Sequence, residues 1–127
     1  QVARLAPFTA PSTSPPITPQ RTYLITGGLG ALGLQTAAWL AARGATHLLL
    51  VSRRATASTA VDDLRARGLT VTVAACDLAD PAAVETLLGG IQPPLAGIIH
   101  AAGVLEDGLL AHQSDDAFQR VLAPKVC

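Results

Sequence analysis

Four short apolar runs, separated by stretches of helical pattern, constrain this chain more than any other feature. TYLIT (Thr22–Thr26), HLLLVS (His47–Ser52), LTVTVAAC (Leu69–Cys76) and LAGIIHAAG (Leu95–Gly103) read as strands rich in leucine and β-branched residues. Short runs of this kind suit strands buried on both faces, which a parallel sheet covered by helices on each side provides. Between the first two, Ala31–Arg43 carries helix formers with Leu34, Ala37, Ala38 and Ala41 apolar, and Gly44 suits the position just past its end. Ser58 to Arg67 reads as a second helix, with Ser58 as N-cap and Gly68 closing it. Asp80-Pro81 supplies a cap and a first-turn proline for a third helix running to about Leu88. Ser114-Asp115-Asp116 opens a fourth, its acids placed at the positive end of the helix dipole.

The order is therefore β-α-β-α-β-α-β-α, and right-handed crossovers predict the strand order 3-2-1-4. The expected class is α/β, a Rossmann-type doubly wound parallel sheet represented in part, by about four strands. A chain of 127 residues is enough for one such domain. Half of it is hydrophobic and mean hydropathy is +0.40, which excludes disorder as a reading of the whole. No apolar run approaches the roughly 20 residues of a membrane span, and no signal-peptide pattern opens the chain. A formal net charge of +0, with nine Lys/Arg spread along the sequence, gives no electrostatic support for nucleic acid or an anionic membrane. Cys76 and Cys127 form neither a disulfide framework nor a metal-ligand spacing, so no metal is expected and a cytoplasmic setting fits. Residues 7–20, with five of the nine prolines among Ser and Thr, read as an extended linker. Residues 1–6 before it look like the end of a strand from a preceding unit. The sequence holds no methionine, and we expect a piece of a longer protein.

Between the first strand and the first helix lies TGGLGALG, with Thr26, Gly27, Gly28, Leu29, Gly30, Leu32 and Gly33 as candidate ligand-binding positions. Gly28, Gly30 and Gly33 satisfy G-x-G-x-x-G after a strand and at the opening of a helix, the context in which the motif binds a dinucleotide pyrophosphate. Backbone N–H groups at the helix start, with roughly half a positive charge, would face the anion. A purely structural turn and a methyltransferase-like relative are the competing readings. At the end of the second strand, where an acid would take a ribose 2′-hydroxyl and favour NAD, the chain has Ser52-Arg53-Arg54. A guanidinium can fork onto a 2′-phosphate and a hydroxyl can donate to it. One such contact, about 1.5–3 kcal/mol, gives a ten- to hundredfold preference for NADPH; the alternative is a pair of solvated surface charges. Asp77-Leu78, just past the third strand, is placed to receive the adenine amino group, whereas Asp80 is more simply a cap. His100, Ala101, Ala102 and Gly103 end the fourth strand, where ligands bind such sheets and small residues let a cofactor lie close. His47 and His112 carry no partner pattern.

Taken together, TYLITGGLGALG, HLLLVSRR, ACDLADPAAV, LAGIIHAAGVLEDGLL and FQRVLAPKV closely resemble, in order and spacing, the ketoreductase domain of modular polyketide synthases, within the short-chain dehydrogenases. The resemblance covers Arg21–Val126, and residues 1–6 resemble the last strand of the structural subdomain that precedes the catalytic one. It implies NADPH-dependent reduction of a β-ketoacyl group carried through phosphopantetheine on an acyl carrier protein, alongside other domains of the same synthase. A serine would hold the carbonyl, a tyrosine would give the proton, and a lysine would lower the tyrosine pKa and bind the nicotinamide ribose. Lys125 matches that lysine, which these ketoreductases carry on the helix after the fourth strand; without the resemblance it would equally be a solvated helix-end lysine. Leu105-Glu106-Asp107 matches a Leu-Asp-Asp motif tied to hydride delivery giving the D-hydroxy product, with Glu106 departing from it and Asp107 retained. The T-G-G-x-G-x-x-G opening also occurs in nucleotide-sugar epimerases and dehydratases, which often carry an acid where Ser52-Arg53 stands here. A non-catalytic domain of the same fold is the third reading.

The only tyrosine, Tyr23, lies ahead of the glycine loop, and no serine follows Ser114. The serine and tyrosine of the resemblance therefore have no counterpart here. Since a general acid contributes about 10²–10⁴-fold, negligible turnover is expected of this chain alone.

Overall fold

The computed structural model describes residues 16–56 and 58–123. Residues 1–6, the first part of the proline-rich stretch (7–15) and Lys125 lie outside the described residues.

Strands β1 (Thr22–Thr26), β2 (His47–Ser52), β3 (Thr70–Ala75) and β4 (Leu95–His100) form one sheet in the order β3-β2-β1-β4, every pair parallel. Helices α1 (Ala31–Ala42), α2 (Thr59–Ala66), α3 (Pro81–Gly89) and α4 (Asp115–Leu122) follow them in turn. Both the fold class and the strand order expected from the alternation are present.

The apolar strands sort by position. All five residues of β1 and Leu48–Val51 of β2 are buried, because these two strands have neighbours on both sides. One face packs Tyr23, Ile25, Leu48 and Leu50 against Ala37 and Leu40 of α1 and Val61 and Leu64 of α2. The other packs Leu24, Leu49, Val51 and Cys76 beneath Ala83, Val84 and Leu87 of α3. Each fully buried aliphatic side chain contributes about 1.5–3 kcal/mol, so the β1–β2 pair carries most of the core.

The helix ends follow local chemistry. Asp80 Oδ1 accepts from the N–H groups of Ala82 and Ala83 at 3.0 and 3.3 Å, and Ser114 Oγ from that of Ala117 at 3.2 Å. Ser58 occupies the N-cap position of α2 without a side-chain bond, so its expected capping contact is not made. Helices α1 and α2 end alike: Gly44 (φ +97) and Gly68 (φ +88) take the left-handed conformation, and the N–H groups of Ala45 and Leu69 reach back to Leu40 and Leu64 carbonyls. Glycine supplies this turn without the Cβ clash any other residue would meet.

Strand β4 is shorter than expected, ending at His100 and not Gly103. Ala101 N–H donates to the Thr26 carbonyl at 3.1 Å, and the next N–H, of Ala102, turns to the Thr26 side chain at 3.3 Å. The chain then leaves the sheet as a loop that runs to a 3₁₀ turn at Leu110–His112, which has no sequence signature. Among the described residues no helix is long and apolar enough to cross a membrane.

Among the described residues strand β4 hydrogen-bonds only β1, and Ile98 on it is 57% exposed. An apolar edge with unpaired N–H and C=O groups templates association. The chain on its own is expected to self-associate, with sedimentation rising with concentration. A monodisperse, cooperatively melting 127-residue chain would contradict this.

Candidate functional site

The site begins where β1 stops. Gly27 takes φ +65, Gly28 N–H donates to the Val51 carbonyl at 3.0 Å, and Gly30 N–H closes a turn onto the Gly27 carbonyl at 2.9 Å. Three of the glycines are required by packing. A Cβ on Gly27 would lie 2.6 Å from the Ala101 carbonyl oxygen, one on Gly28 2.7 Å from Leu50 Cβ, and one on Gly33 would strike the Gly27 carbonyl. Gly30 differs, since its Cβ would come no nearer than 3.2 Å to protein, and Gly30 lines an open cavity. The loop thus runs pinned against β2 and β4 while its backbone at Gly30 faces open space.

Gly30 is also the N-cap of α1 and makes no side-chain cap bond, in contrast to Asp80 at α3 and Ser114 at α4. First-turn N–H groups of a helix have no intrahelical acceptor, so here they are disposed toward an anion. This stretch of backbone lines an open cavity.

The cavity has a volume of about 660 Å³ and lies at the carboxyl ends of the strands. Its walls are Gly27, Leu29 and Gly30 of the loop, Val51 to Arg54 and Thr56 after β2, Cys76 to Leu78 after β3, Ala102 to Val104 after β4, and Arg120 and Ala123 at the end of α4. Four separate stretches singled out from the sequence therefore share one cavity: the glycine loop, Ser52-Arg53-Arg54, Asp77-Leu78 and Ala102-Gly103. Arg53 and Arg54 are exposed and make no ion pair among the described residues. Asp77 Oδ1 accepts from Ala79 N–H at 3.1 Å, which orders the turn, and among the described residues no protein group donates to its second oxygen.

Other candidates lie behind the walls. Thr26 Oγ1 meets His100 Nδ1 at 2.8 Å and accepts from Ala102 N–H, so these two side chains latch β1 to β4. Gly28, Gly33 and Ala101 pack the loop, and Leu32 is 65% exposed on α1, off the cavity. Leu105, Glu106 and Asp107 lie in the loop after β4 and do not line the cavity. Tyr23 is buried at the opposite end of β1 from the glycine loop, its hydroxyl accepting from Thr18 N–H at 2.8 Å.

Sequence reasoning missed Arg120. Its Nε donates to Glu106 Oε1 at 2.7 Å, joining the loop after β4 to α4. That hydrogen bond first, and the guanidinium charge second, hold the Glu106 carboxyl below its usual range and raise Arg120. A depressed carboxyl keeps its tether above the ordinary glutamate range and loses it as pH falls through the lowered value, so acid unfastens this loop. Cys76 is a free thiol buried at the cavity wall; burial first, then the Asp77 and Asp80 charges, push its thiol up and make it a poor nucleophile at neutral pH.

Comparison with known proteins matches the KR domain model to residues 21–127. The chain belongs to the KR domain family. It is 47% identical to an erythronolide synthase of Saccharopolyspora erythraea over 116 residues, covering 87% of this chain and 3% of that protein. To a 6-methylsalicylic acid synthase of Arthrobotrys oligospora it is 43% identical over 126 residues, covering 86% of this chain and 7% of that one. The crystal structure of a ketoreductase domain from the bacillaene assembly line superposes with a TM-score of 0.81 at 34% identity, over 92% of this chain and 30% of that one. The chain thus spans a small part of the polyketide synthases it matches and under a third of this ketoreductase.

The glycines predict a separation of roles, testable in a complete ketoreductase domain carrying this sequence. Gly28→Ala should lower the melting temperature by several degrees, because backbone and Leu50 must move. Gly30→Ala, whose Cβ would press only on the Gly27 carbonyl at 3.2 Å, should lower melting less than Gly28→Ala and weaken dinucleotide binding several-fold, read by calorimetric titration. The reverse pattern would refute the assignment.

Proposed function

We propose that this KR domain contributes the cofactor-binding half of an NADPH-dependent reduction, in which a β-ketoacyl thioester on an acyl carrier protein becomes the β-hydroxyacyl thioester within a cytoplasmic multienzyme. The observation that carries the reading is the meeting of Ser52-Arg53-Arg54 with the Gly30 backbone in one cavity. A dinucleotide bears a pyrophosphate and, in NADPH, a 2′-phosphate, and each would find its chemistry on a different wall. Membership of the family supports ketoreduction in polyketide biosynthesis; phosphorylated cofactor and carrier-bound substrate are the finer parts of the proposal.

In this reading Gly27, Gly28, Leu29, Gly30 and Gly33 shape the phosphate cradle, with Leu32 on the outer face of the helix it opens. Arg53 and Arg54, helped by Ser52, fork onto the 2′-phosphate. Asp77 receives the adenine amino group through its second oxygen, beside Leu78. Ala102 and Gly103 leave room for the ribose, while Thr26, His100 and Ala101 hold the strand ends that form this wall. Bound NADPH would supply hydride to the substrate carbonyl. Lys125 would bind the nicotinamide ribose and depress the pKa of a proton-donating tyrosine, and Leu105-Glu106-Asp107 would bias the face of attack toward the D-hydroxy product. Residues 1–6 would end a preceding structural subdomain, and 7–20 would connect it to the catalytic part. Because this chain has no tyrosine besides Tyr23, turnover by it alone should be negligible.

In a complete domain carrying this sequence, Arg53→Ala should erase ten- to a hundredfold of the preference for NADPH over NADH, measured as kcat/KM with each. Equal use of both cofactors by the unaltered domain would sink the cofactor assignment. Lys125→Met should lower kcat by about 10²–10⁴-fold and also raise the cofactor KM, since the ribose contact is lost with the proton-transfer role.

A further inference from the structure

Three arginines, Arg53, Arg54 and Arg120, line the cavity, and Asp77 is the only acid among its lining residues. The first two sit together after β2, but Arg120 comes from α4, and the sequence reading gave it no role. We propose that Arg120 is a third anion-binding residue of this cavity, held by Glu106 so that it takes a phosphate oxygen of the bound dinucleotide. This rests on the ketoreductase reading given above.

The ion pair uses only one nitrogen of the guanidinium. Nε of Arg120 donates to Glu106 Oε1 at 2.7 Å, and among the described residues no protein group accepts from its two terminal nitrogens. Arg65 shows what a purely structural arginine looks like here. Its Nε and Nη2 both donate to the Val71 carbonyl and Nη1 to Asp62, and it does not line this cavity. Arg120 keeps its fork for something else.

Glu106 is itself secured. Its carbonyl accepts from Gln113 Nε2 at 3.2 Å, so its backbone is tied to the segment leading into α4 and its carboxylate to α4 itself. A guanidinium oriented beforehand loses less freedom when an oxyanion arrives, and its planar fork suits phosphate. Asp116, one turn earlier on the helix, adds a second negative charge near the guanidinium. The position of Glu106 gains a physical reason too: its side chain spans the gap from loop to helix and closes on Nε.

The test is equilibrium titration of a complete ketoreductase domain carrying this sequence with NADP⁺ and with NAD⁺, alongside thermal melting. Arg120→Met is expected to raise the NADP⁺ dissociation constant about tenfold with the fold intact, and Arg120→Lys about threefold, since charge is kept without the fork. Equal losses for NADP⁺ and NAD⁺ would assign the contact to the pyrophosphate; loss for NADP⁺ alone would assign it to the 2′-phosphate. Unchanged affinity for both cofactors in Arg120→Met, or in Arg120→Lys should the first not fold, overturns the proposal while the ketoreductase reading stands. An unaltered domain that binds neither cofactor removes both.

Discussion

The structure depends on how closely the backbone after β1 approaches its two neighbouring strands. Gly28 lies against Leu50 of β2 and Gly27 against Ala101 at the end of β4, each in a space where a single methyl group would collide. The contacts hold the chain reversal low against the sheet, so α1 starts directly over it and its uncapped first turn opens on the cavity. Core packing and the wall of the cavity are thereby joined in eight residues. The glycines facing protein set the geometry, and Gly30, facing open space, uses it.

Electrostatics divides along the same line. The floor of the site offers backbone dipoles, which do not vary with pH, and its rim offers arginine side chains on long, exposed stems. Such a rim contributes selectivity more than stability, because exposed charges are well solvated when the site is empty. That is why Arg53 and Arg54 can stand without an ion pair among the described residues while the fold is undisturbed.

Much of this was legible in the residues. Strands buried on both faces announced a parallel sheet, and Asp80-Pro81 and Ser114 announced helix starts, because those signals act over a few residues. The glycine spacing, Ser52-Arg53-Arg54 and Asp77 were readable for a related reason: each follows immediately on a strand, and the topology sends all strand ends to one place. What could not be read depends on the path of a loop. Arg120 reaches the cavity only because the segment after His100 leaves the sheet early and Glu106 lands beside α4, a meeting fourteen residues apart in sequence that no periodicity encodes. The end of β4 was misjudged because His100-Ala101-Ala102 continues an apolar pattern, while the Thr26 hydroxyl diverts the backbone. Ser58 looked like a cap and made no bond, since the signal specifies a candidate acceptor and not the rotamer it adopts.

The pairing of the strands also bears on the order in which they assemble. Thr22 pairs with His47 and His47 with Thr70, each a neighbour in the chain, whereas Thr22 meets Leu95 only across the intervening two strands and three helices. Closing a loop about three times longer costs on the order of 1 kcal/mol more in chain entropy, before any contact offsets it. Folding should therefore begin with β1, β2 and β3 and take in β4 last. The wall that carries Arg53 and the glycine loop would exist first, and the wall formed after β4 would close on it, which makes the binding cavity one of the last features of the molecule to appear.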